Sequence, residues 1–441
     1  MPSGNLPRLR QNHLVRLRRA HRVGQTPRAA RAVVRRPSAV INPVLAGTAL
    51  PKEQLIMGNR LVILGAGIGG LSVVKELRDS QIPLDDLDVT LVDESFDHFL
   101  GFALPWVMRG WRTEESVPIR LAEHAAAEVK TVRATVGGVD PARKTVLLDD
   151  GSELEFDALV VALGAKNAPS KVPGLQEALD AGLAVHYYSA AEAGRAHQAL
   201  ADFAGGKLVF LVAAQPYRCP VAPYEGALLA ADLLEERGKR ASAEIAVYTP
   251  EKQPMPSAGP DAGPRLVELL SQNDIAFHPE HAVELVDHSN RTVRFANGQT
   301  VAFDLLVFVP PHEPAVALGE PDWIPVDRES MRTEHEGVWA IGDITTVISP
   351  SGKPLPKAAI FAKNGGKAVA RNILHYFGKA EAQDRLSGLG YCYIDTGSHH
   401  SARGKGDFFA LPHPGVILDE PSEELHNDKL EEERAWRALW E

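Results

Sequence analysis

A glycine-rich turn, GAGIGG, constrains the fold of this chain more than any other segment. It follows the apolar run Arg60–Leu64 and precedes Leu71–Leu77, whose apolar residues recur at helical spacing. An apolar run of this kind is typical of a parallel strand buried on both faces. In such a turn Gly65 permits the tight bend, Gly67 lets the backbone approach a pyrophosphate, and Gly70 lets the helix pack closely. The segment therefore predicts a dinucleotide-binding α/β unit.

The next apolar run supports this prediction with an acidic residue. The strand-like segment Val89–Val92 ends in Asp93 and Glu94. An acid at the tip of the second strand can accept hydrogen bonds from a ribose. We therefore predict Asp93 as a ribose ligand.

Two later glycine turns resemble those of the flavoprotein disulfide-reductase superfamily. Residues 157–164 form an apolar strand that ends in Gly164, and residues 337–343 form another that ends in Gly342-Asp343. The resemblance implies FAD as the cofactor. It also implies that the first segment closes the FAD half-domain, and that Asp343 bonds the ribityl chain.

The segment after this aspartate is also informative. Residues 354–359 (PLPKAA) lead into a helical pattern that ends near Asn372. The resemblance implies that this helix points its N-terminus at the flavin pyrimidine ring, where Lys357 in the first turn would add positive charge. The alternative for Lys357 is a solvent-exposed lysine without a role.

The middle of the chain lacks a second nucleotide fingerprint. The apolar strand Lys207–Val212 is followed by residues 213–220, a turn with no glycine and two prolines. Side chains would fill the space that a pyrophosphate needs, and proline has no N–H to donate. The sequence thus argues against NAD(P)H as the electron donor.

This turn carries a cysteine instead. Cys219 lies in YRCPVAPYE, just before the helical segment 226–237, and the order of motifs is similar to that in the sulfide:quinone oxidoreductase and flavocytochrome c sulfide dehydrogenase group. That resemblance covers residues 59–441. It rests on residues 104–107 (LPWV), 110–112 (GWR), 249–251 (TPE), 309–312 (VPPH), 342–343 (GD), 355–358 (LPKA) and 390–397 (GYCYIDTG).

Two interpretations of Cys219 stay open. A helix N-terminus or the adjacent Arg218 would lower the pKa of a thiol and make it reactive towards sulfur, whereas many free cysteines are inert core residues. The resembling family pairs this cysteine with a second one, in many members directly after the Gly-Asp turn, where this chain has Ile344. We interpret the other cysteine, Cys392, as structural, so either a one-cysteine mechanism is expected or the substrate is something other than sulfide.

Some remaining residues have weaker signals. His312 is a candidate proton shuttle, because imidazole exchanges protons near neutral pH; the alternative is a loop histidine. No set of histidines and cysteines has the spacing of a metal site, so no metal is expected. Trp106 and Trp111 either line a quinone path or pack in the core.

Charge and composition restrict the partners. The net charge is −10, yet the first 56 residues hold ten arginines and one lysine against one acid, Glu53, which leaves about −20 for the rest. An acidic body argues against a nucleic-acid partner. No apolar run is long enough to span a bilayer. We expect a cytoplasmic protein, with peripheral membrane contact, export and homo-oligomerisation left open.

The predicted architecture is α/β, with two Rossmann-like dinucleotide-binding domains, the second degenerate, and a C-terminal α+β domain. Residues 1–56 are predicted to be a disordered, targeting or over-extended start. The FAD domain is predicted at 57–165 and 300–375, a middle domain carrying Cys219 at 166–299, and a C-terminal interface domain at 376–441.

The resemblance implies an FAD-dependent oxidoreductase that oxidises sulfide, a persulfide or a small thiol near Cys219. The electrons would pass to a quinone or a cytochrome. Two alternatives stay open: a single-flavin NADH:quinone reductase, and a flavin-binding electron-relay subunit without sulfur chemistry of its own.

Overall fold

A computed structural model describes residues 59–83, 86–123, 127, 129–319 and 322–441 of this chain. The predictions for residues 1–56 lie outside these ranges. The α-helices are α1 (Ile68–Asp79), α2 (Leu104–Arg109), α3 (Leu175–Asp180), α4 (Ala190–Asp202), α5 (Ala222–Glu236), α6 (Ala262–Gln272), α7 (Ala359–Tyr376) and α8 (Glu423–Trp440).

The first sheet contains the strand that precedes the glycine turn. Its five parallel strands run in the order Val338–Ala340, Ala158–Val161, Asn59–Leu64, Leu87–Asp93 and Lys130–Arg133. The strand from residue 338 joins the sheet although about 180 residues separate it from its neighbour. The apolar runs of the sequence form these central strands because both faces of the sheet are covered.

The second sheet is also parallel and belongs to the middle of the chain. Its order is Ala184–Val185, Leu305–Val309, Gly206–Val212, Ala243–Tyr248 and Ile275–His278. The predicted domain boundary at 299/300 is therefore two strands too early, because Thr300–Ala302 pairs with Thr292–Phe295 and Leu305–Val309 pairs with Gly206–Val212. The apolar strands Leu305–Val309 and Val338–Ala340 look alike in the sequence. Only their pairing partners show that the first belongs to the second sheet and the other to the first sheet.

The remaining strands are short and mostly antiparallel. Three-stranded sheets are formed by Val136–Asp140, Thr145–Leu148 and Glu153–Glu155; by Val283–Asp287, Thr292–Phe295 and Thr300–Ala302; and by Leu389–Gly397, His400–Asp407 and Ile417–Leu418. Two-stranded pairs join Ala165–Asn167 to His312–Pro314, Asp97–His98 to Ile119–Arg120, and Ile324–Pro325 to Thr345–Thr346, the last pair being parallel. We refer to the sheet of residues 389–418 as the C-terminal sheet.

Helix α8 packs on its own chain. The Ser422 hydroxyl accepts a hydrogen bond from the Leu425 N–H at 3.2 Å and so caps the N-terminus of the helix. Trp436 and Trp440 are buried, and the Trp436 indole donates to His98 at 2.8 Å. None of the helices in the described ranges combines the length and the apolar character needed to cross a membrane.

A buried ion pair fastens α8 to the rest of the molecule. The Lys429 ammonium is fully buried and lies 2.7 Å from a Glu225 oxygen on α5 and 2.6 Å from an Asp395 oxygen on the C-terminal sheet. Three separate segments therefore meet at one cation. Removing the cation would leave two carboxylates facing each other without water.

We predict that Lys429→Met destabilises the protein by about 3–5 kcal/mol, because it breaks a buried pair and leaves uncompensated charge. Urea unfolding of the variant would measure this. The control is Lys405→Met, since the half-exposed Lys405 pairs with Asp419 at the surface and its loss should cost about 1 kcal/mol or less. Equal effects of the two substitutions would contradict the prediction.

Candidate active site

One large cavity collects most of the residues that the sequence singled out. Its volume is about 650 Å³. The predicted residues on its wall are Gly65, Gly67, Asp93, Gly164, Cys219, Gly342, Asp343 and Lys357. Gly70 and His312 are not on the wall. The cavity thus brings together the glycine turn, the cysteine and the Gly-Asp turn, which are spread over residues 65–343 of the chain.

The glycine turn forms one end of the cavity. A methyl group on Gly70 would lie 1.9 Å from the Gly65 carbonyl oxygen, so this position serves close packing, as predicted. At Gly67 an added Cβ would have no atom within 4 Å among the described residues, because this position faces the cavity. Helix α1 begins directly after Gly67 and no side chain of the described region caps it, so its first N–H groups can bind phosphate.

Asp93 has a second role beside the predicted one. Its carboxylate accepts hydrogen bonds from the Ala66 N–H at 2.8 Å, and from the Ser95 and Phe96 N–H groups at 2.9 and 2.8 Å. These bonds hold the glycine turn against the end of the second strand. Glu94 also lines the cavity and is exposed. Ribose binding by Asp93 stays a prediction.

Lys357 is buried rather than solvent-exposed. Its ammonium donates to the carbonyl oxygens of Asp343 at 2.7 Å and Thr345 at 3.1 Å, and lies 3.4 Å from the centre of the Trp323 ring. Burial lowers the pKa of Lys357 to about 8, although the Asp343 carboxylate opposes this shift. The lysine thus stands beside the start of α7, where the resemblance places the flavin pyrimidine ring.

Cys219 is held in an uncommon backbone conformation on the cavity wall. Its φ of +59° lies in the left-handed region, which is costly for a residue other than glycine. The Cys219 N–H donates to the Lys357 carbonyl oxygen at 2.8 Å, so this bond joins the cysteine turn to the start of α7. The pKa of the Cys219 thiol is raised to about 12, chiefly by burial and secondly by the Glu225 carboxylate. This direction is opposite to the lowering expected from the sequence, because burial outweighs the neighbouring N–H groups.

Cys392, which we interpreted from the sequence as structural, lies on the wall of the same cavity. Burial raises the pKa of its thiol well above the usual range, and the nearby Cys219 raises it further. Both thiols are free. Sequence reasoning missed this residue because 173 positions separate it from Cys219 and because it sits within a strand.

Glu225 is the last residue of the motif around Cys219, and no pattern in the sequence indicated a role for it. Glu225 is in the first turn of α5, is 1% exposed and lines the cavity. One of its carboxylate oxygens bonds Lys429, and the other has no hydrogen-bond partner in the described part of the chain. Burial raises the pKa of Glu225 to about 7, against the opposing effect of the Lys429 ammonium. It is therefore a buried carboxyl group that can gain and lose a proton near neutral pH.

His312 lies behind the cavity wall. Its Nε2 accepts a hydrogen bond from the Arg218 Nε at 3.0 Å, and Arg218 also donates to Asn167 at 2.7 Å. Burial, with Arg218 as the next cause, lowers the pKa of His312 to about 2, so the ring stays neutral. This geometry suits a role in positioning Arg218, which does line the cavity, and the proton shuttle stays a prediction.

The middle sheet has an acid, Glu251, near the position where an NAD-binding domain has the acid that binds the ribose, but other side chains already bond it. Glu251 follows the strand Ala243–Tyr248 and is 5% exposed. Its carboxylate accepts hydrogen bonds from the hydroxyl groups of Tyr224 at 2.6 Å and Tyr217 at 3.0 Å, and from the Gln215 amide at 3.1 Å. These donors already satisfy the Glu251 carboxylate, which would otherwise be available to bind the ribose of a nucleotide.

Trp106 is fully buried and donates to Asp395 at 2.6 Å, whereas Trp111 stacks on His399 with 4.3 Å between ring centres. Neither tryptophan lines the cavity, so packing explains both.

Within the described ranges, no group of three or more histidine, cysteine or acidic side chains is placed to hold a metal ion.

The family model described as pyridine nucleotide-disulphide oxidoreductase matches residues 59–366 of this chain. The chain belongs to this family.

Two curated relatives of this oxidoreductase have sulfide in their names. The sulfide-quinone reductase of Aquifex aeolicus is 25% identical over 81% of this chain and 84% of its own length. The mitochondrial sulfide:quinone oxidoreductase of Mus musculus is 23% identical over 83% and 82%. The crystal structure of the Aquifex aeolicus sulfide:quinone oxidoreductase superposes with a TM-score of 0.74, at 22% identity, over 86% of this chain and 90% of that chain. Relatives described as NADH dehydrogenases or NADH:quinone oxidoreductases match 26% to 54% of the chain.

The cofactor of this oxidoreductase is FAD, and the cavity fits it. The open face of Gly67 and the start of α1 suit the pyrophosphate, and Asp343 and Lys357 suit the ribityl chain and the flavin ring. The chain is therefore an FAD-dependent enzyme with the α/β fold that the sequence predicts.

We predict that Gly67→Val yields folded protein without FAD. The new side chain meets no atom of the described chain but fills the space next to the start of α1. Flavin absorbance per mole of purified protein, together with circular dichroism, would measure this. The control is Gly138→Val, because Gly138 also has no atom within 4 Å of an added Cβ yet does not line the cavity. A yellow Gly67→Val protein would place the pyrophosphate elsewhere.

Proposed function

We propose that this oxidoreductase oxidises sulfide at Cys219 and Cys392 and passes the electrons through FAD to a quinone. The observation that carries the proposal is that both cysteines lie on the cavity that fits FAD, with Glu225 beside Cys219. The named activity of the curated relatives supports the substrate class. The two-cysteine arrangement replaces the one-cysteine mechanism expected from the sequence.

In the proposed reaction the two thiols, which are free in the structure, are first oxidised to a disulfide with loss of two protons and of two electrons that FAD would accept. The ion HS⁻ attacks one sulfur, so a new S–S bond forms, the Cys219–Cys392 bond breaks, and one cysteine becomes a persulfide while the other becomes a thiolate. The persulfide and the thiolate then join as a trisulfide, which releases one proton and two electrons. FAD supplies the acceptor for these two electrons.

The chain's own groups assist each part of this reaction. The ionised Glu225 takes the proton that the persulfide loses, because it is buried next to Cys219. The backbone N–H groups of Val221 and Ala222, at the start of α5, lower the pKa of the Cys219 thiol and so favour its thiolate. The Lys357 ammonium stabilises the negative charge that arrives at the cofactor.

An apolar acceptor suits the remaining wall of the cavity. Phe99, Trp436 and Leu439 present apolar surface there, and the Tyr391 hydroxyl donates to Glu432 at 3.0 Å on the same wall. A quinone has an apolar ring with two carbonyl oxygens, so it matches such a wall. We therefore favour a quinone over a cytochrome.

We predict that sulfide, added anaerobically, bleaches the flavin of the native enzyme and that Cys219→Ser and Cys392→Ser abolish this bleaching. Dithionite should still reduce the flavin in both variants, which serves as the control for cofactor binding. Bleaching by NADH but not by sulfide would instead support an NADH:quinone reductase. If sulfide still bleached the flavin in both variants, neither cysteine would take part in the reaction.

The pH dependence follows from Glu225. Its pKa is raised to about 7, so the carboxyl group is protonated below this pH and becomes a proton acceptor above it. We predict that sulfide-dependent flavin reduction, compared at equal HS⁻ concentration, rises as the pH passes through about 7. Glu225→Gln should lose the rise and react about a hundredfold more slowly at high pH. An unchanged profile in this variant, measured by stopped-flow absorbance, would exclude Glu225 as the base.

A further inference from the structure

Buried polar side chains form a continuous line from the cavity to the protein surface. The Lys429 ammonium donates to Glu225 at 2.7 Å and to Asp395 at 2.6 Å. The other Asp395 oxygen lies 2.9 Å from His426 Nδ1, and His426 Nε2 lies 3.3 Å from His399 Nδ1. Glu225 lines the cavity, and His399 is exposed. Every step is within hydrogen-bonding distance.

We propose that this line of five side chains conducts protons between the cavity and the solvent, with His399 as the outlet. The inference rests on the proposed function, because it takes Glu225 as the group that accepts a proton released in the cavity, whether from sulfur or from the reduced cofactor. It adds His426 and His399 as proton-transfer groups that do not touch the substrate. We call the five residues the proton line.

The transfer conserves protons and charge at each step. Exchange between the two ring tautomers first moves the His426 proton from Nδ1, which donates to the Asp395 carboxylate at rest, to Nε2. Lys429 then gives one proton to Asp395 as it receives one from Glu225, and Asp395 passes a proton to His426 Nδ1 in the same step, so the ammonium and the carboxylate are both unchanged. His426 releases its Nε2 proton to His399, which passes one to water, and the resting tautomer is restored. The sum is one proton lost by Glu225 and one gained by water, and no electrons move.

Burial explains why the proton would follow this route. Glu225, Lys429, Asp395 and His426 are each at most 4% exposed. When Glu225 ionises, Lys429 balances only one of the two buried carboxylates, and the group carries one net negative charge. A proton on His426 neutralises that charge, and an unbalanced buried charge is costly. The ionisation of Glu225 thus favours proton arrival at His426.

The surface end of the proton line is held in place. The His399 ring stacks on Trp111, and its backbone has a φ of +55°, in the left-handed region. Around the two imidazoles, besides members of the line, lie the charged groups Asp232, Glu236, Arg109, Arg112 and Glu433. Arg109 pairs with Asp232 and Glu236, and Arg112 pairs with Glu433. These five groups carry two positive and three negative charges, so one negative charge is left in excess around the two imidazoles.

The neighbouring histidine offers a matched control. His400 is also exposed, but its Nδ1 bonds the Ser398 carbonyl oxygen and it is not part of the proton line. We compare His399→Ala with His400→Ala in the FAD-loaded full-length enzyme. Each protein is reduced with one equivalent of dithionite and mixed with two equivalents of ferricyanide, each of which takes one electron and no proton. A pH-indicator dye follows the proton released as FAD re-forms.

We expect His399→Ala to delay proton release behind flavin reoxidation by about tenfold, and added imidazole to restore the native rate. His400→Ala should behave like the native enzyme. Equal proton release in the two variants, or no response to imidazole, would overturn the proposal. Because ferricyanide replaces both sulfide and quinone, the result stands even if the native enzyme fails to react with sulfide, which would overturn only the proposed function.

A second measurement is independent of activity. Ring-nitrogen NMR of the full-length protein carrying ¹⁵N-labelled histidine reports the hydrogen bonds of His426. The His426 signals should shift in His399→Ala and stay unchanged in His400→Ala. Unchanged His426 signals in both variants would show that the His426 and His399 rings are not hydrogen-bonded. This result would contradict the proposal that His399 is the outlet of the proton line.

Discussion

The buried Lys429 ammonium is the interaction on which both the fold and the site depend. It lies between Glu225 on α5 and Asp395 on the C-terminal sheet, while Lys429 itself belongs to α8. A cation without water is stable only when carboxylates surround it, so the three segments must meet. The same contact fixes the orientation of Glu225 and brings the strand that carries Cys392 onto the cavity.

A second constraint couples the middle of the chain to the flavin. The hydrogen bond from the Cys219 N–H to the Lys357 carbonyl oxygen joins the cysteine turn to the start of α7. Cys219 accepts a left-handed conformation to make it. In a nucleotide-binding relative the same turn would bind pyrophosphate, but here it presents a thiol to the flavin site. Glu251 contributes to the same loss of nucleotide binding, because its carboxylate is already hydrogen-bonded by neighbouring side chains.

Much of the fold and part of the site could be predicted from the sequence. Glycine spacing and apolar runs are local, so the turn at Gly67, the strand before it and the helix after it could be inferred from residues close together in the chain. The boundary at 299/300 was two strands too early, because strand pairing is not a local property. The position of Cys392 on the cavity wall was missed for the same reason, since Cys392 lies in an ordinary strand.

By itself, the sequence determined that the chain binds a dinucleotide, that its second nucleotide turn has no glycine, and that Cys219 stands in that turn. These are properties of backbone space and of N–H groups, which neighbouring residues control. Only the tertiary structure decided that Cys392 and Glu225 share the cavity, and that burial raises rather than lowers the pKa of Cys219. Burial and charge pairing arise between distant segments, and no short stretch of sequence contains both partners.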